Sequence, residues 1–149
     1  MKPILLAVAA GLCWGVGELF TKSVLHTGKI GPITAVAVRS TVALPVLWLA
    51  WFVAVKVARA EPADWYRADT ATLLKLVLGS GLVAGAAAMI FFYAALHTGE
   101  ISRIKPVAFA LAPAVASVLA FVFLHEPLTA KKALGIVSIL GGVVLLTGR

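Results

Sequence analysis

The chain is 149 residues long, 62% hydrophobic and only 13% charged, with a mean hydropathy of +1.05. A soluble domain carries about 25% charged residues, so this chain cannot cover a water-facing surface, and its apolarity excludes intrinsic disorder. The net charge of +7 does not point to nucleic acid, because the basic residues stand singly or in pairs between apolar runs, where Lys and Arg act as topology signals.

The length is that of one domain, residues 1–149. Cys13 is the only cysteine, which excludes a disulfide framework or a cysteine metal cluster within one chain. Beside Trp14 in an apolar run, it reads as a small buried packing residue.

The first apolar segment runs from about Pro3 to Leu25. Lys2 followed by Ile4 to Cys13 imitates a signal peptide, but the apolar pattern continues to Phe20 without a small-x-small cleavage motif. Retention as a membrane span is expected. The segment hides a lone carboxylate, Glu18. Trp14 lies one turn earlier on the same face. It is either a flat wall for a substrate ring or cation, or bulky filling. Gly11, Gly15 and Gly17 leave room for a close helix or a cavity.

A tight connection, His26 to Gly31, leads to segment two, about Ile33 to Val55, which contains a lone Arg39 and an internal Pro45. A charge at mid-membrane costs about 2.5–3.5 kcal/mol on insertion scales. From Gly28, Glu18 lies ten residues back and Arg39 eleven residues on. At about 1.5 Å per residue the two side chains sit at nearly equal depth on adjacent antiparallel helices. Three readings follow. The pair is a static ion pair fixing helix packing. Alternatively it is a substrate or proton site on a cavity wall, with Arg39 attracting an anionic group or tuning Glu18. In the third, each group snorkels separately to the interface.

Lys56 to Lys75 reads as a polar surface loop whose Trp65 and Tyr66 rest at the interface. Segment three spans about Leu76 to Leu96, and Thr98 to Lys105 connects it to segment four, about Pro106 to Leu124. Lys22, His97, Glu100 and Lys105 gather on one membrane side and read mostly as solvated ends; Lys105, just before Pro106, is a candidate lining for an entrance. Pro113 interrupts segment four as Pro45 interrupts segment two, and each removes a backbone hydrogen bond and permits a bend. His125 to Lys132 joins segment five, about Ala133 to Thr147. This last run is short, with Lys131 and Lys132 snorkelling at its start. Gly135, Ser138 and Gly142 form a small-residue stripe suited to close helix association.

The expected fold is all-α: a polytopic membrane bundle of five transmembrane helices, with four plus one interfacial helix as the alternative. Leu25-His26-Thr27-Gly28 recurs as Leu96-His97-Thr98-Gly99, suggesting related hairpins. Lys2, Lys56, Arg59, Arg67, Lys75, Lys131 and Lys132 fall on the N-terminal side; Lys22, Lys29, Arg103, Lys105 and Arg149 fall on the other. So even a distribution gives the N-terminus only a slight cytoplasmic bias and permits insertion both ways. There is no serine-hydrolase set, no HExxH, no phosphate loop and no carboxylate pair at a membrane surface. The expectation is no enzyme, no metal and no cofactor.

Several stretches resemble EamA-type transporters: Trp14-Gly15, Arg39 within Pro32 to Ser40, Ala94-Ala95-Leu96 and Pro113. The run Phe123-Leu124-His125-Glu126-Pro127-Leu128-Thr129 and the stretch Gly135 to Val143 do too. His125 departs from the pattern, since glycine is usual before that glutamate. The resemblance implies the drug/metabolite transporter superfamily, whose members commonly carry two such domains in inverted orientation, and hence a half-size member. Glu126 is a hallmark of that family, but it lies in a connection and is expected to cap helix five rather than to bind substrate. Related small multidrug transporters carry a membrane carboxylate near the position of Trp14; here tryptophan stands there, with Glu18 one turn on.

The expectation is therefore a secondary transporter of small metabolites or amphipathic organic molecules in the cell (inner) membrane. It would act as a dimer with a second copy, antiparallel in the inverted-repeat manner, or with a paralogous half. Trp14, Glu18 and Arg39 would line a cavity among helices one to four. The alternative is a non-transporting accessory subunit or scaffold whose Glu18–Arg39 pair only locks packing.

Overall fold

In a computed structural model, which describes residues 2–148, the apolar runs are helical and no strand occurs among the described residues. Five helices are long and apolar enough to cross a membrane: α1 (Lys2–His26), α2 (Pro32–Val57), α3 (Thr70–Thr98), α4 (Ile101–Leu124) and α5 (Ala130–Thr147). The shortest, α5, has 18 residues, about 27 Å of helix against a hydrocarbon core of about 30 Å. Large apolar side chains point outward along every span, Leu145 at 85% exposure among them. That surface is unstable in water and is solvated by lipid, where only internally hydrogen-bonded elements can cross.

Three helix starts fall well before the positions expected from the sequence. Helix α3 starts at Thr70 inside the expected loop, because the Asp69 carboxylate accepts from Thr72 N at 2.9 Å and from Thr72 Oγ1 at 2.8 Å. Asp69 is a side-chain N-cap. These bonds, first from the Thr72 hydroxyl and then from its amide, hold the Asp69 carboxyl below the usual carboxylate range. Helix α4 starts at Ile101, so the expected Thr98 to Lys105 connection shrinks to little more than Gly99 and Glu100, and Pro106 lies inside the helix. A proline is most at home in a first turn, which made Pro106 look like a beginning. Helix α5 starts at Ala130 and is capped by Thr129, whose hydroxyl accepts from Lys132 N at 3.3 Å. Thr129, not Glu126, is the cap. The Glu126 amide instead donates back to Ala120 O at 3.2 Å, closing the end of α4.

Two spans are not α-helical throughout. Helix α2 ends as a π-helical turn over Val53–Val57, and α3 is π-helical over Lys75–Ala87. The wider winding falls on the small residues Gly79, Ser80, Gly81, Ala84 and Gly85. It exceeds the usual single π turn, which marks α3 as the least regular span.

The chain forms two compact units, Met1–His97 and Thr98–Arg149. The first holds α1 to α3 and buries Leu25, Val36, Val55, Tyr93 and Leu96 together with Glu18. The second is the α4–α5 hairpin, whose buried residues are the small Ala110 and Ala114. The echoed Leu25 and Leu96 are both buried, and the first turn closes through Gly28, left-handed at φ 67.

Candidate functional site

Glu18 is 3% exposed in the middle of α1, and Arg39 of α2 reaches it with Nη1 at 3.3 Å from Oε1. Arg39 Nη1 also donates to Tyr93 Oη of α3 at 2.8 Å, and its guanidinium carbon lies 5.7 Å from the Tyr93 ring centre. The shorter bond goes to tyrosine for a geometric reason. Side chains lean toward the N-terminus of their own helix. In α2 that direction is back toward the turn and the level of Tyr93, while in α1 it carries Glu18 away from the turn. Arg39 therefore joins three helices rather than two.

The bonds around Tyr93 have a direction. Thr21 Oγ1 donates to Gly17 O at 3.1 Å and lies 3.2 Å from Tyr93 Oη. With its own proton so placed, Thr21 accepts from the Tyr93 hydroxyl, which in turn accepts from Arg39. The result is a chain of donors running from the guanidinium through Tyr93 and Thr21 to the Gly17 carbonyl. Tyr93 is 1% exposed, so its hydroxyl must be satisfied inside the protein, and this chain satisfies it. Lys22, expected at a solvated end, also turns inward: its Nζ donates to Leu96 O at 2.8 Å. A cation bonded to a C-terminal carbonyl of α3 also complements the helix dipole.

Beside these groups is a cavity of about 410 Å³, lined from α1 by Cys13, Trp14, Gly17, Glu18, Phe20, Thr21 and Val24. Its other lining comes from Ile30, Ala35, Val38 and Arg39 around α2 and from Tyr93 of α3. Small-molecule sites measure about 300–1,000 Å³, mostly apolar with a few placed polar groups, and this cavity has that character. The structure thus brings Trp14, Glu18 and Arg39 to one wall, and Cys13, read from the sequence as buried, is exposed and lines the same cavity.

The other singled-out residues lie elsewhere. Lys105 belongs to the second unit, 5.3 Å from the Phe109 ring centre, in a groove of about 400 Å³ with Ile101, Ser102 and Pro106. Pro45 lies inside α2, and Pro113 inside α4 together with Pro106. Gly142 faces a groove of about 350 Å³ within the α4–α5 hairpin, beside Phe109, Ala110 and Ile139. Gly135 and Ser138 are exposed, and a Cβ at Gly135 or Gly142 meets nothing within 4 Å. Glu126 lines a recess of about 80 Å³ with Ser117 and Lys132. Among the described residues no group of His, Cys, Asp and Glu is placed to hold a metal ion.

Sequence reasoning missed Tyr93 and Thr21. The signal was present. Tyr93 stands six residues before Gly99, and Thr21 seven before Gly28, so counting from the turns puts the two hydroxyls at one level.

Against known proteins, the model of the EamA-like transporter family matches residues 1–148. No curated protein and no solved structure gives a match.

Proposed function

Because this chain belongs to the EamA-like transporter family of multi-pass membrane proteins, we propose that it is half of a secondary transporter. It moves small metabolites or amphipathic organic molecules across the cell membrane. One observation carries the reading: a buried carboxylate and a partly exposed guanidinium share the wall of a cavity of about 410 Å³ within helices that cross lipid. A charge kept inside a span marks a solute or ion path by default. Trp14 offers the solute a flat face, Arg39 and Glu18 the polar contacts. A second copy, inserted antiparallel, or a paralogous half completes the route, as inverted repeats do in larger transporters. The near-even spread of Lys and Arg supports insertion both ways.

Purified protein reconstituted into liposomes should carry solute faster than protein-free liposomes, and Glu18→Gln should abolish any proton-driven part. Proton-driven flux unchanged by Glu18→Gln excludes that residue as the coupling group. Labelling both termini from each side tests the antiparallel copy: a single fixed orientation rules it out without touching transport itself. A second reading, a non-transporting scaffold, draws on the bonds by which Arg39 ties α1, α2 and α3 together. Absence of flux for every class of solute favours it.

A further inference from the structure

Building on the cavity as a solute site, we infer that its substrates are amphipathic organic monocarboxylates, anchored on the Nε–Nη2 edge of Arg39. A guanidinium is a planar fork of N–H donors. Both hydrogen bonds of Arg39 leave from Nη1, to Glu18 Oε1 at 3.3 Å and to Tyr93 Oη at 2.8 Å. Each takes one of the two Nη1 hydrogens. Glu18 is thus an end-on partner through one oxygen, and it does not occupy the fork. The Nε–Nη2 edge donates to no described residue, while the side chain remains 37% exposed on the cavity wall. Two parallel donors on that edge match the two oxygens of a carboxylate. Tyr93, itself held by Thr21, fixes Nη1 and so sets the plane of the fork before any ligand arrives.

Charge decides between a monoanion and a dianion. Arg39 is the one cation among the lining residues, and Glu18 already shares it. A second negative charge on the ligand would face the Glu18 carboxylate across a weakly screening interior. A phosphate ester is therefore disfavoured and a carboxylate fits. Trp14, Phe20 and Val38 then provide apolar walls for an aryl or branched-alkyl body.

The test uses the full-length protein in detergent, titrated with 3-phenylpropionate and with the uncharged 3-phenylpropionamide, read by thermal stabilisation and calorimetry. The acid should bind about tenfold more tightly than the amide, a difference of about 1.4 kcal/mol. Arg39→Lys keeps the charge but loses the fork; it should retain a cooperative melt and lose most of that preference. Equal affinity for acid and amide in the unaltered protein overturns the proposal without any variant having to fold. Preference undiminished in Arg39→Lys overturns it too, as does displacement of the acid by equimolar inorganic phosphate. Nanodiscs of phosphatidylcholine with and without phosphatidylglycerol separate a free acid from a lipid headgroup. Loss of acid binding on adding the anionic lipid gives the edge to lipid and overturns the proposal. Flux is read independently. Acid-selective binding without flux rejects transport and leaves the carboxylate site standing, whereas flux of neutral or cationic solutes without acid preference does the reverse.

Discussion

The two units of the chain are built from similar apolar sequence and treat polarity in opposite ways. The α1–α3 unit keeps Glu18, Arg39, Tyr93 and Thr21 inside its spans and bonds them into one network around a cavity. The α4–α5 hairpin leaves its charges at the ends, with Glu100 paired to Arg103 at 3.2 Å between exposed side chains, and among its described residues buries only alanines. An exposed pair of that kind is worth about 0–1 kcal/mol. The contrast separates scaffold from chemistry: small residues suffice for helix packing in lipid, so internal charge needs another reason, and the cavity supplies it.

The contrast breaks most visibly at Arg39. Arg39→Leu leaves the Glu18 carboxylate buried without its partner, and removing one member of a buried pair costs about 3–5 kcal/mol. A large fall in melting temperature in detergent is expected, with much of it recovered in the double variant Glu18→Gln/Arg39→Leu. An equal fall in both would show that the pair is not coupled.

A smaller effect is expected from Tyr93→Phe, which keeps the ring and removes the hydroxyl between Arg39 and Thr21. Loss of bonds at a buried donor should cost about 1–3 kcal/mol, measured by the same melt.

In the hairpin the expected change has the opposite sign. His125 ends α4 in the left-handed region at φ 54. It is the position where EamA-type sequences usually carry glycine, the residue that adopts this conformation without a Cβ penalty. His125→Gly should therefore raise stability by about 1 kcal/mol. A destabilised variant would show that the imidazole makes a compensating contact.

The smallest effect concerns an exposed charge of the first unit. The lowered Asp69 carboxyl stabilises the start of α3 at pH values above the unfolded carboxyl's range. That contribution disappears as pH falls through the still lower folded value. The protection of Thr72 N against hydrogen exchange should fall selectively below about pH 4 and should be lost at neutral pH in Asp69→Ala.

Much of this architecture was legible in the sequence. Runs of apolar residues long enough for the bilayer give the five spans, and counting outward from Gly28 puts Glu18 and Arg39 at one depth. Rotation about each helix axis was not legible, because a span surrounded by lipid shows no polar face to orient it. For that reason the part of Tyr93 stayed hidden and Lys22 looked like a solvated end. The early starts of α3 and α4 were obscured by polar flanks that read as loop. The π-helical stretch of α3 has no sequence period of its own, only a concentration of glycine.

Transport through this cavity requires water and solute to reach the middle of α1, and the protein carries its own reporter there. Cys13 is the single cysteine and lines the cavity beside Trp14. Its modification by a charged, membrane-impermeant methanethiosulfonate in proteoliposomes requires thiolate in contact with water. Rapid modification, slowed by 3-phenylpropionate and not by its amide, is the predicted result. A Cys13 inert to the charged reagent yet reactive toward a lipid-soluble maleimide would contradict the account, because it would place that wall against lipid.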